Sequence, residues 1–389
     1  MSMSGSHPWR QALSSLLLLM LLLVIVFSLL LSSSLFQDPV PRIKRSPDLP
    51  LRFRYDGTFK ILQVADMHFG NGAVTRCRDV LPSEFAACSD LNTTRFLRRM
   101  IDAENPDLIV FTGDNIFGTS ASDAAESLFR AVGPAMESRT PWAAILGNHD
   151  QESTMSREEL MSFMSLMDYS VSQVNPSGFT IDGFGNYNIK VHGASGSAMA
   201  NTSVLNLYFL DSGYRAIVDG RRTYGWIKES QLSWLQTASK ELQGISPAPA
   251  LAFFHIPIPE VRDLWYKEIW GQFQEAVACS SVNSGVLRSL VSVGDVKAVF
   301  LGHDHLNDFC GNINGIWLCY GGGFGYHGYG RAGWQRRARV ILAHLIKGRE
   351  SWAGVESIKT WKRLDDEKLS LIDEQVLWIH PQDVYDNQM

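Results

Sequence analysis

The sequence predicts an α/β fold with buried sheets, in one domain behind an N-terminal leader. Three observations predict it. Short β-branched and apolar runs recur, each stopping at Gly, Pro or a metal-capable side chain: KILQVADMH (60–68), DLIVFTGD (107–114), PWAAILGNHD (141–150), ALAFFHIP (250–257) and KAVFLGHDH (297–305). Stretches with helical spacing lie between them. The 389 residues suffice for a large core, and no internal repeat divides them.

In chain order, Arg10 precedes LLLLMLLLVIVFSLLL, residues 16–31. A positive residue before such a run reads as a signal peptide or signal-anchor over 1–36. Entry into the secretory pathway follows, with the protein secreted, or tethered to a membrane if the leader is not cleaved. Residues 37–57 are polar with prolines and read as a linker. The main domain is expected over 58–345. TTRFLRRMIDAEN (93–105), SDAAESLFRAVGPAME (122–137) and ESQLSWLQTASKELQ (229–243) read as helices, with Ser122 or Asp123 capping the second. VLNLYFLDSG (204–213) is a further strand. Residues 346–389 read as a closing β-hairpin around Asp365-Asp366.

The remaining features fit an oxidising compartment. Asn92 and Asn201 begin N-glycosylation tripeptides. Of five cysteines, Cys77 with Cys88 and Cys310 with Cys319 are spaced to close short loops, leaving Cys279 over. Free core thiols are the other reading of each pair. A formal charge of -5 argues against nucleic acid as a partner. The basic run RAGWQRRAR (331–339) reads as a solvated face.

The strand ends carry the chemistry. Asp66 and His68 are two apart, as are His303 and His305, and in extended chain such pairs project to one side. Asp114, Asn148 and His255 close three other strands. In open α/β sheets, sites gather beyond the carboxyl ends of the strands. This mixture of carboxylate, amide and imidazole suits Zn, Mn or Fe and contains no thiolate. Seven side chains exceed what one ion needs, so two are expected, with the two oxygens of Asp114 bridging them. GGGFGYHG (321–328) reads as a flexible rim loop near His305.

The ordered set Asp66-Met67-His68, Gly113-Asp114, Gly147-Asn148-His149-Asp150, His255 and Gly302-His303-Asp304-His305 resembles the calcineurin-like metallophosphoesterase superfamily. The resemblance covers roughly residues 58–345 and is nearest to single-domain purple acid phosphatase-like proteins of plants. It implies a four-layer α/β/β/α sandwich with two mixed sheets. It also implies one divalent ion on Asp66, His68, Asp114 and His305, and another on Asp114, Asn148, His255 and His303. The implied reaction is attack of metal-bound hydroxide on a phosphate ester, with substrate at Asn148, His149 and His303. His149 is the implied general acid, and Asp150 is placed to orient it. A homodimer is compatible with the family. Two departures stand out. Purple enzymes carry GDxxY, whose tyrosinate binds ferric iron, whereas this chain has GDNIF with Phe117. They carry DxG where this chain has His68. No Tyr-ligated ferric iron is expected, and divalent ions are favoured. The alternative is a catalytically inactive homologue, a secreted glycoprotein that binds metal or ligand.

Overall fold

The computed structural model describes residues 8–35, 44–243, 248–348 and 351–381. Residues 37–43 of the predicted linker and 382–389 of the predicted tail lie outside them. The chain divides into two compact units, 1–45 and 46–389. The first contains the helix Pro8–Leu35, with Leu16 to Phe27 exposed. Its described side chains stop at Ser28, so the apolar run 16–31 reaches past them. Among the described residues no helix is long and apolar enough to cross a membrane.

The second unit is a four-layer sandwich around two mixed sheets. In the first sheet the strand order is Leu371–Ile379, Trp352–Leu364, Arg337–Lys347, Thr58–Val64, Leu108–Thr112 and Trp142–Ile145. The last three run parallel; Arg337–Lys347 joins antiparallel to Thr58–Val64, and the C-terminal pair forms an antiparallel hairpin. The second sheet orders Tyr187–His192, Ser203–Phe209, Ala250–Phe253, Val296–Leu301, Ile316–Tyr320, Cys310–Ile313 and Ile269–Trp270. Its four strands from Ser203–Phe209 to Ile316–Tyr320 are mutually parallel.

Local chemistry explains the helices. Asp90–Glu104 is capped by Ser89 and buries Phe96, Leu97, Met100 and Ile101 on one stripe. The expected helix 122–137 is two: Ala124–Ala131, capped by the Asp123 side chain, and Gly133–Glu137. Gly133 and Pro134 interrupt the ladder between them. Glu229–Leu242 is continuous.

Two expectations are corrected. Part of the predicted linker belongs to the core: Leu51 and Phe53 are buried, and Phe53 N donates to His192 O at 2.9 Å. The basic run is not a solvated face either, because Arg336, Arg337 and Arg339 are buried. Arg336 donates to the carbonyls of Gly328, Tyr329 and Arg78, while Arg337 and Arg339 face a polar seam between the sheets. Lys362 Nζ lies 2.8 Å from Asp308 Oδ1 and 2.7 Å from Asp373 Oδ2, Arg337 pairs with Asp308, and Arg339 Nη2 donates to Asp308 O at 2.8 Å. Burial pushes the Asp308 carboxyl up, but Lys362 and Arg337 outweigh it and hold it below the usual range. Asp308→Ala strands these buried cations and is expected to cost about 3–5 kcal/mol in urea unfolding at neutral pH. The wild-type advantage should fade as pH falls below about 4, since a depressed carboxylate loses its contribution in acid. An equal cost at every pH would contradict this account.

The predicted cysteine pairs are both closed. Cys77 and Cys88 form one disulfide; Cys310 and Cys319, opposite each other in an antiparallel pair, form the other. Cys279 is free and buried.

Candidate metal centre

Three parallel strands of one sheet and two of the other deliver their carboxyl ends to one edge. Asp66, Asp114 and Asn148 follow the strands that end at Val64, Thr112 and Ile145, and His255 and His303 follow those that end at Phe253 and Leu301. The side chains do not project by strand alternation, as the spacing predicts. Asp66, His68, Asp114 and His303 have φ of 59°, 47°, 48° and 81°. Each strand stops first, and the chain then turns through left-handed backbone, a strain typical of functional sites. The two leading loops hold each other through backbone bonds: His68 N donates to Asp114 O at 2.8 Å and Phe69 N to Asn115 O at 3.1 Å.

Two buried clusters result, Asp66 with His68 and His305, and Asp114 with His255 and His303; within each, ligand-capable atoms lie within 4.8 Å of one another. His68 Nε2 is 2.9 Å from His305 Nε2, and His305 Nε2 is 3.5 Å from Asp66 Oδ1. Asn148 Oδ1 joins the second cluster, 3.3 Å from His255 Nε2. Asp114 links the clusters through one oxygen, not two. Its Oδ2 lies 3.4 Å from His68 Nε2 and 3.3 Å from His255 Nε2, while Oδ1 accepts the His149 backbone N–H at 2.7 Å. Gly147 permits that approach, since a Cβ there would meet Asp114 Oδ1 at 2.2 Å.

The donors fit cations. His255 Nδ1 sits 2.9 Å from Thr112 O and His305 Nδ1 2.7 Å from Tyr329 O. Each ring then donates through Nδ1 and turns its Nε2 inward, where a cation would take the place of a proton. Burial holds His68 and His303 well below the usual imidazole range, which favours neutral ligands. Burial opposes charge on His255 too, but Asp114 outweighs it and lifts that ring to about 9. His303 Nε2 is buried without a hydrogen-bond partner, and the 2.9 Å approach of His68 Nε2 to His305 Nε2 needs a shared proton that a cation would replace.

Both clusters open on a cavity of about 270 Å³ that also exposes Asn148, His149, His303, Phe117, Arg78, Tyr224 and Tyr329. Phe117 lies against the reaction centre: its ring centroid is 5.2 Å from His68 and 4.7 Å from His149. Tyr224 packs edge-on to His303 at 4.5 Å, and Tyr329 stacks on His305 at 3.9 Å.

The expected role of Asp150 is corrected. Its carboxylate accepts from Gly147 N at 2.7 Å and Ile116 N at 2.9 Å, and it braces the loop. Glu152 orients His149 instead: Oε2 is 2.6 Å from His149 Nδ1, and Oε1 accepts from Arg215 Nη1 at 2.6 Å. The short 3₁₀ turn Asp150–Glu152 brings residues three apart onto one side. A His-x-x-Glu spacing was the available signal. Arg215 and Tyr224 come from a separate hairpin, Arg215–Val218 with Arg221–Tyr224, which no motif marked.

The glycine-rich segment is also corrected. Residues 321–325 are buried, with Phe324 N bonded to Ala65 O and Gly325 N to Asp66 O, both at 3.0 Å. A Cβ at Gly325 would stand 1.7 Å from Met67 O. Glycine is needed for close backbone packing behind the metal loop. Of the two glycosylation tripeptides, Asn201 lies in an exposed turn, whereas Asn92 is half-buried and its Oδ1 accepts from Ser89 N.

Two facing mixed sheets, with paired clusters of metal-capable side chains at their common edge, are the architecture of a metallophosphoesterase. The chain belongs to the calcineurin-like phosphoesterase family, whose signature matches residues 59–307. It is 68% identical over 351 residues to "Probable inactive purple acid phosphatase 28" of Arabidopsis thaliana, covering 87% of this chain and 88% of that one. Identity to "Probable inactive purple acid phosphatase 29" of the same plant is 56% over 343 residues, 84% of this chain and 88% of the relative. "Phosphatase DCR2" of Saccharomyces cerevisiae is 35% identical over 82% of this chain and 56% of its own length. Among solved structures, a dimetal phosphatase from Danio rerio shares the fold with a TM-score of 0.52 at 15% identity, covering 83% of this chain and 99% of that one.

Proposed function

We propose that this chain is an active dimetal-dependent phosphoesterase that hydrolyses phosphate esters in the secretory pathway or outside the cell. The carrying observation is Asp114 Oδ2, which faces both ligand clusters at 3.3–3.4 Å. Asp66, His68, Asp114 and His305 would hold one ion, and Asp114, Asn148, His255 and His303 the other, with Zn, Mn or divalent Fe the fitting metals. When bound, two such ions supply Lewis acidity to a phosphoryl oxygen and acidify a water. The protein's own residues do the rest. Asn148 and His303 face the phosphoryl group. His149, held by Glu152 at Nδ1 and with Arg215 Nη2 3.4 Å from Nε2, would lie on the leaving-group side and pass a proton from Nε2 to the departing oxygen once the substrate displaces Arg215. Disulfides at Cys77–Cys88 and Cys310–Cys319 support an oxidising compartment, and Asn201 is the better placed glycan acceptor.

One observation favours a second reading, a metal- or ligand-binding glycoprotein without turnover: Phe117 stands where purple enzymes carry tyrosine, and several relatives are named probable inactive. Against it, His68 supplies an imidazole to the cluster, and one relative is named a phosphatase. Hydrolysis of p-nitrophenyl phosphate with added Mn or Zn tests the choice. Turnover is expected, and Asn148→Ala is expected to reduce it to background. Wild-type protein that binds two ions yet shows no turnover on any phosphate ester would leave the second reading.

A further inference from the structure

Arg78 is exposed, lines the cavity and carries its guanidinium 5.9 Å over the Phe117 ring, whose other ring neighbours are His68, His149 and His327. One aromatic ring therefore separates this cation from the reaction centre. Arg215, beside His149, pairs with Glu152 and sets its other nitrogen 3.4 Å from His149 Nε2. Several exposed arginines among the described residues, Arg76 and Arg331 included, have no carboxylate partner, but Arg78 is the one that lines this cavity. Among the described residues no carboxylate pairs with the Arg78 guanidinium. The acid beside it, Asp79, accepts from Gly330 N at 3.0 Å.

The backbone under Arg78 is fixed. Its N–H donates to Tyr326 O at 2.9 Å, its carbonyl accepts from Arg336 Nη2 at 3.0 Å, and neighbouring Cys77 is tied to Cys88. An unpaired cation held on a pinned loop at a site mouth is poised for an anion from outside the chain. A phosphoryl group on the clusters meets their own side chains, whereas the Arg78 guanidinium rests on Phe117, outward of His68 and His149.

We infer that the preferred substrate carries a second phosphate-like anion on its leaving group, and that Arg78 receives it. The inference rests on the phosphoesterase reading above. Esters of diphosphate and bisphosphates fit this chemistry; esters with neutral or aromatic leaving groups use the centre but leave Arg78 unpaired.

The test is equilibrium binding of two non-hydrolysable probes, methylphosphonate and methylenediphosphonate, to the Mn-loaded full chain at constant free metal. Wild type is expected to bind the diphosphonate roughly tenfold tighter, the size of one charge-assisted contact. Arg78→Met should erase that margin and leave methylphosphonate unchanged, while Arg78→Lys keeps part of it. Equal affinities in wild type, or a margin that survives Arg78→Met, would overturn the inference. Arg78→Gln gives a second neutral variant should the Met protein misfold. Failure of both phosphonates to bind metal-loaded wild type would instead overturn the phosphoesterase reading, and this inference with it.

Discussion

Asp114→Asn is expected to empty both metal clusters at once. Asp114 Oδ2 lies between His68 and His255, so one atom serves both ions. An amide keeps the shape but loses the negative charge that offsets two neighbouring dications, and with its oxygen on the His149 N–H it turns a non-ligating NH2 to the shared position. Loss of an outer-shell partner already costs roughly 10–100-fold in metal affinity, and loss of the shared ligand should cost more for each ion. Elemental analysis of the purified variant should therefore find almost no bound metal, and phosphomonoester turnover should fall to background. His305→Ala makes the comparison informative, because His305 belongs to one cluster only. That variant should retain about one ion. The backbone is expected to survive in Asp114→Asn, since the amide oxygen still accepts from His149 N. Two ions retained by a folded Asp114→Asn protein would mean that the clusters do not share a ligand.

How much of this centre is legible in the sequence depends on the kind of contact. Asp66, Asp114, Asn148, His255 and His303 follow apolar runs, and parallel strands must end on one edge, so their convergence is readable. The local geometry is not. The i, i+2 spacing of Asp66 and His68 points to extended chain, yet both residues are left-handed, held by bonds to a loop nearly fifty residues away. The single-oxygen bridge is invisible too, because it depends on the His149 amide occupying Asp114 Oδ1.

Charge misleads for a related reason. Arg337 and Arg339 look solvated because their partner, Asp308, is some thirty residues away, and Arg336 because its partners are backbone carbonyls. A local charge count contains no information about which cations meet a buried carboxylate. GGGFG likewise reads as mobile, since composition shows freedom to bend but not the Met67 carbonyl that fills the space beside Gly325. The α/β core, by contrast, follows from alternation, since strands buried on both faces require helices outside them, while the four-layer arrangement is legible only through the family resemblance.

His149→Ala is expected to lower turnover of an alkyl phosphate by roughly 10²–10⁴-fold, the usual worth of a positioned proton donor, with metal content unchanged. An alkoxide leaves poorly unless protonated, whereas p-nitrophenolate leaves without help. The same variant should therefore lose much less activity on p-nitrophenyl phosphate. Glu152→Gln should show the same leaving-group pattern with a smaller loss, because Gln retains one hydrogen bond to Nδ1 but withdraws the charge that stabilises an imidazolium. Arg215 adds a check: it also bonds Glu152, so Arg215→Met should shift turnover in the same sense through the geometry of that carboxylate. Asp150→Asn supplies the contrast. Its carboxylate braces Gly147 and Ile116, so its loss should reduce stability and act alike on both substrates. Comparing kcat for the two esters across these four variants separates proton donation from scaffolding. Equal losses on both esters in His149→Ala would remove His149 from the proton-donor role and leave it a residue that only shapes the cavity.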